Sequence, residues 1–162
     1  MGKPLSNISS SSESIAMEAI DGYAVAVDMT ARNVQDECKK KGLPWTIPKG
    51  FDTFCPISDF IPKAKIPDPH QVDLWLDVNG KRRQQDSTAL MLFRIPRILS
   101  EISGVMRLDP GDIVLTGTPK GVGEVTLGDT MSAGVQVDGQ AISEGELRVS
   151  VEDRLGGYVH EP

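Results

Sequence analysis

From Ile20 to Met29 the chain reads IDGYAVAVDM, with Tyr23, Val25 and Val27 on one face and only small or apolar residues between them. That pattern predicts a strand buried on both sides, with Asp28 at its exit. From Thr30 to Lys41 the spacing becomes helical. Val34 and Cys38 are four apart, Lys39, Lys40 and Lys41 fill the last turn where they favour the dipole, and Gly42 marks the stop. Residues 43–70 hold six of the eleven prolines, Pro44, Pro48, Pro56, Pro62, Pro67 and Pro69, so extended connections and sheet edges are expected there and no long element. Val72, Leu74, Leu76 and Val78 then alternate ahead of Asn79-Gly80, the two-residue signal of a hairpin, with Trp75 on the opposite face.

Further on, Leu90, Phe93, Ile98, Leu99 and Ile102 surround Pro96, and a helix is expected from about Pro96 to Ser103. Asp109-Pro110-Gly111 reads as a turn, Asp112–Thr116 as a strand, and 116–123 as a glycine-punctuated loop. Two late strands are expected around Thr130–Val137 and Glu146–Glu152. No internal repeat is visible. Strands outnumber helices and long irregular connections join them, which predicts an α+β chain, mostly β with short helices.

The first sixteen residues read differently. Ser9, Ser10, Ser11, Ser12 and Ser14 form a run broken only by Glu13, with few large apolar side chains around it, so residues 1–16 are expected to be a flexible serine-rich lead and 17–162 the folded domain. The lead lacks the arginines and apolar face of a mitochondrial transit peptide. Gly2 and Ser6 fit the short myristoylation pattern, which chance readily supplies.

Composition narrows the partners. With 162 residues the chain supports one hydrophobic core. A net charge of -6 argues against nucleic acid or an anionic membrane as a partner. No apolar run approaches the roughly 20 residues that cross a bilayer. Cys38 and Cys55 fall in no metal-ligand spacing and point to a reducing compartment. His70 and His160 lie ninety positions apart, which gives a histidine zinc site or a catalytic triad little to build on.

Three segments carry candidate chemistry. In DMTARNVQDECKKKG, Asp28, Arg32 and Gln35 place a carboxylate, a guanidinium and an amide on one turn-and-helix face. The carboxylate suits magnesium or manganese, the guanidinium a substrate carboxylate, and the amide a carbonyl. The plainer alternative has Asp28 capping the helix and Arg32 paired with Asp36. Lys49, on a stiff loop in WTIPKGFDTF, suits an enolate or oxyanion, or is a surface lysine. LTGTPKGVG lacks the spacing of a phosphate loop, yet backbone N–H groups at Gly117 and Thr118 suit one carboxylate oxygen, or the segment is a tight turn.

DMTARNVQDECKKKGLPWT, the KGFDTF that follows and DIVLTGTPKGVG resemble the fumarylacetoacetate hydrolase superfamily, most closely its small acylpyruvate hydrolase members, which also decarboxylate oxaloacetate. The similarity runs in order from about Met17 to Val151. It implies the mixed β-roll of the family's catalytic domain, incomplete at its N-terminus. It also implies metal-dependent C–C hydrolysis of 2,4-dioxo acids to pyruvate and a carboxylate, with oxaloacetate decarboxylation as a second reaction. By motif, Asp28 matches the third ligand of the Mg2+ or Mn2+ ion, and Arg32 and Gln35 match polar residues at the metal and substrate. Lys49 matches the lysine at the developing enolate, and Gly117 with Thr118 the loop at the substrate carboxylate. A small 2-oxo acid as partner, a homodimer, and a mitochondrial or cytoplasmic location are implied in the same way.

The front of the chain departs from that pattern. Family members carry an H-x-E-x-E-type strand that supplies two further metal ligands and, upstream, a lid whose His and Glu activate water. This chain starts just after where that strand would end, and Glu13 and Glu18, the only acids before Asp21, replace neither. Weak cation binding is therefore expected. The alternatives are a catalytically impaired form that acts as a dimerisation or interaction protein, and a fragment that folds poorly because sheet edges are uncovered.

Overall fold

The computed structural model describes residues 1–9, 11–154 and 156–157. His160 lies outside them. Ahead of the first strand stands a short helix, α1 (Glu13–Glu18). β1 (Gly22–Tyr23) pairs with β2 (Ile61–Pro62), and between them lie α2 (Arg32–Lys41) and the four-residue α3 (Thr46–Lys49). β3 (Asp73–Val78) and β4 (Lys81–Ser87) form the hairpin, followed by α4 (Ile95–Val105). β5 (Thr130–Val137), β6 (Gln140–Ala141) and β7 (Leu147–Ser150) complete the chain. The central sheet runs β4-β3-β5, with β6 and β7 both on the far edge of β5, and every strand pair among the described residues is antiparallel. This is the α+β class read from the sequence.

The hairpin turns at Asn79 and Gly80, both with positive φ (53° and 72°), as a type I′ turn requires. Asn79 does a second job. Its side chain donates to Asp129 Oδ1 at 2.7 Å and accepts from the Thr130 amide at 2.9 Å, which ties the turn to the start of β5. α2 closes at Gly42 in the left-handed conformation, where the Leu43 amide donates to the Cys38 carbonyl.

Two apolar clusters hold these elements. One gathers Leu5, Ala16, Ala19, Ile20, Ile95, Leu99 and Leu108; the other gathers Val25, Ile61, Ile66, Val72, Ala133, Val135 and Ile142. Tyr23 packs against both. His70 is structural: buried, it accepts the Ile95 amide at its Nε2 (3.1 Å) and so anchors the first turn of α4.

Within the serine-rich lead, Leu5 is 4% exposed and exchanges backbone hydrogen bonds with Leu108, and Glu13–Glu18 is helical, with Leu5, Ala16 and Ala19 in one apolar cluster with Ile95 and Leu99 of α4. Two expectations change. The expected Ile20–Met29 strand shrinks to Gly22–Tyr23 and a single bridge between Ala26 and Ile57. Its neighbour carries Pro56, which accepts from the Val27 amide but has no N–H to return, so a regular ladder cannot form. The expected Asp112–Thr116 strand is absent as well. Apart from the bonds of Met1 to Gly111 and Asp112, no strand lies beside it among the described residues, and Ile113 and Leu115 are exposed.

Candidate active site

The turn after β1 carries Asp28 past α3, because the Ala31 amide donates to the Pro48 carbonyl (2.9 Å) and the Met29 amide to the Phe54 carbonyl (2.9 Å). That docking brings the Lys49 ammonium to 2.6 Å from Asp28 Oδ2. The pair remains partly open to solvent. Ala31, not Asp28, is the N-cap of α2, and Asp36 pairs with Lys39, so the capping reading of Asp28 and the Arg32–Asp36 pair are both set aside. Arg32 instead donates through Nη1 to Gln35 Oε1 at 3.1 Å, on the first turn of α2, and Gln35 is 4% exposed. The guanidinium thus fixes the amide's oxygen and leaves the amide N–H2 to point elsewhere.

All six residues singled out in the sequence, Asp28, Arg32, Gln35, Lys49, Gly117 and Thr118, line one cleft of about 1790 Å³. Leu74 and Leu76 of β3 and Ala133 and Val135 of β5 give it an apolar floor. Residues 110–119 and 121–125 line it as well, and its charged lining includes Asp28, Arg32 and Lys49 together with Arg83, Asp112 and Glu124. Tyr23 also lines the cleft. Burial first, and then the charge of Asp68, push its phenol pKa up, and its buried hydroxyl has no hydrogen-bond partner among the described residues.

Gln84 of β4 is the residue the sequence reading missed. Its side chain is nearly buried and donates to Thr118 Oγ1 at 2.9 Å and to the Pro119 carbonyl at 2.7 Å. The available signal was the polar run KRRQQ in a strand that needs one inward-facing side chain at every second position.

The donor set does not fit a divalent cation. Among the described residues no three His, Cys, Asp or Glu side chains come together, and the one matching carboxylate, Asp28, is neutralised by Lys49. No helix among the described residues is long and apolar enough to cross a membrane.

Comparison with known proteins gives the class. Residues 1–152 match the family model for the fumarylacetoacetate (FAA) hydrolase C-terminal domain, so the chain belongs to that family. Within it, the chain is 59% identical over 124 residues to the mitochondrial oxaloacetate tautomerase of Bos taurus, covering 76% of this chain and 56% of that protein. It is 49% identical over 120 residues to the mitochondrial oxaloacetate decarboxylase of Dictyostelium discoideum, covering 74% and 55%. The chain therefore spans about half the length of the curated relatives it matches. A yeast fumarylacetoacetate hydrolase family protein superposes with a TM-score of 0.92 at 42% identity, covering 99% of this chain and 67% of that one. The fumarylpyruvate hydrolase of Pseudomonas aeruginosa, solved with Mn2+ and pyruvate, superposes with a TM-score of 0.83 at 36% identity, covering 94% and 61%.

Proposed function

We propose that the cleft takes a small 2-oxo acid of the oxaloacetate type and acts on its enol or enolate form. The observation that supports this most is the Lys49–Asp28 contact at 2.6 Å beside the Arg32–Gln35 hydrogen bond at 3.1 Å, on a cleft that Gly117 and Thr118 also line. The loop amides and Arg32 take the substrate carboxylate, and the Gln35 amide N–H2 donates to the 2-oxo group. Lys49 exchanges part of its contact with Asp28 for the substrate oxygen and holds the negative charge that develops there. Asp28 is the carboxylate beside it that accepts the C3 proton.

Keto–enol exchange needs only that proton to leave C3 and another to reach the oxygen, or the reverse. Decarboxylation instead breaks the C3–C4 bond and releases carbon dioxide, leaving the pyruvate enolate; in both reactions the negative charge develops on the C2 oxygen, so one arrangement of charge serves both. Oxaloacetate is the substrate named for the relatives, and their mitochondrial location is proposed for this chain with it. A second reading, C–C hydrolysis of an acylpyruvate, draws on the likeness to the fumarylpyruvate hydrolase. It ends on the same pyruvate enolate but also needs a base for water. The described residues offer no group of three His, Cys, Asp or Glu side chains that would hold a cation.

The test follows the decay of enol-oxaloacetate absorbance with the purified chain. A rate above buffer that falls with Lys49→Ala and Arg32→Ala is expected. A rate equal to buffer would contradict the reading.

A further inference from the structure

We propose that Gln84 is a positioning residue: it pins the 117–121 loop to β4 and so holds the carboxylate cradle open in shape. The inference rests on the proposed role of that loop, but the pin itself is read from the fold. The pairing of β3 with β4 slips between Leu76 and Asp77, so that Leu76 faces Gln84 while Asp77 faces Arg82, and Arg83 is the extra, bulged residue. A bulge re-aims the side chains around it. Here Gln84 turns inward, 9% exposed, with both of its amide hydrogens spent on the loop, one on Thr118 Oγ1 and one on the Pro119 carbonyl.

The bulged residue makes the second contact. At Gly121 (φ +100°) the loop backbone lies so near Arg83 that an added Cβ would sit 2.1 Å from the Arg83 carbonyl oxygen. The remaining tie, Lys120 to Asp86 at 3.5 Å, is an exposed ion pair and contributes little. Among the described residues, the amides of Gly117 and Thr118 make no backbone hydrogen bond to other elements. Their direction therefore depends on the side-chain anchor beneath them. A glutamine suits this post because it donates twice without bringing a charge into a buried place.

The experiment is 15N relaxation on the labelled 162-residue chain, the Gln84→Ala variant and the isosteric Gln84→Glu variant, with the amides of α4 as the folding control. Rigid backbone gives an order parameter of about 0.85 and flexible backbone less than about 0.6. The wild-type amides of Gly117, Thr118 and Lys120 are expected at the rigid value and those of Gln84→Ala at the flexible one. Gln84→Glu separates pinning from packing: as a neutral acid it still donates a hydrogen bond, and as a carboxylate it repels the Pro119 carbonyl. Its loop is expected to be ordered at pH 4 and loose at pH 7, while the wild type is unchanged. If Gln84→Ala does not fold, that pH contrast carries the test. A loop already loose in the wild type, or equally ordered in all variants at pH 7, overturns the proposal. Oxalate added to the wild-type sample reports separately on the carboxylate role: a loosened variant loop with no oxalate shift at Thr118 upholds the pin and contradicts the proposed function.

Discussion

An ion pair as open to solvent as Asp28–Lys49 contributes little to folding, about 1 kcal/mol or less. The two charges are therefore better understood by what they present to the cleft. Lys49→Ala is expected to leave the melting temperature nearly unchanged while lowering oxaloacetate turnover about 100-fold, the size of effect that follows loss of one donor at a developing oxyanion. Unfolding scans and turnover on the same preparation check both halves. At this scale the sequence shows residue types and spacings clearly. It does not show partners. Asp28 four residues before Arg32 suits a helix cap as well as a site residue, and only the docking of α3 against residues 28–31 brings Lys49 to it. Gln84 was hidden for a similar reason, since its inward direction comes from a bulge that depends on the pairing of two strands.

Elements were legible where the signal is local. The β3–β4 hairpin carries both its alternation and its Asn-Gly turn within a dozen residues, and α2 carries its own stop. Strands that need a distant neighbour were not: the 20–29 run meets a neighbour that contains Pro56, and 112–116 has no strand beside it among the described residues. In the lead, six serines outweigh one leucine in composition, whereas in packing the buried Leu5 counts for more. Leu5→Ala should destabilise the fold by about 2–5 kcal/mol in urea unfolding, as for other buried leucines, and a cost near zero would mean the lead is loose after all.

The turn of the hairpin adds a pH effect. Asp129 accepts hydrogen bonds from the Thr126 amide and the Asn79 side chain, which hold its carboxyl below the usual range. A depressed folded-state pKa stabilises the fold above the unfolded value of about 3.9, and that contribution is lost as pH falls through the folded one. Melting temperatures between pH 6 and pH 3 are therefore expected to fall more steeply for the wild type than for Asp129→Asn.

Across the whole molecule, two apolar clusters joined at Tyr23 lie beside a cleft that residues from the 28–49 segment, from β3 and β5 and from the 110–125 segment all line. With one carboxylate, already paired, Mn2+ should bind the chain at about 10⁻³ M or more weakly, and Lys49→Ala should tighten it by freeing Asp28. Calorimetric titration of both proteins checks the sign.

The most direct test of a shared 2-oxo acid site is a chemical-shift titration of the labelled chain with oxalate, a planar dianion shaped like the pyruvate enolate. The Gly117 and Thr118 amides, the Gln35 side-chain amide and the Lys49 ammonium are expected all to shift along one saturating curve. Saturation confined to other surfaces, or no saturation at any of the four, would contradict a shared 2-oxo acid site.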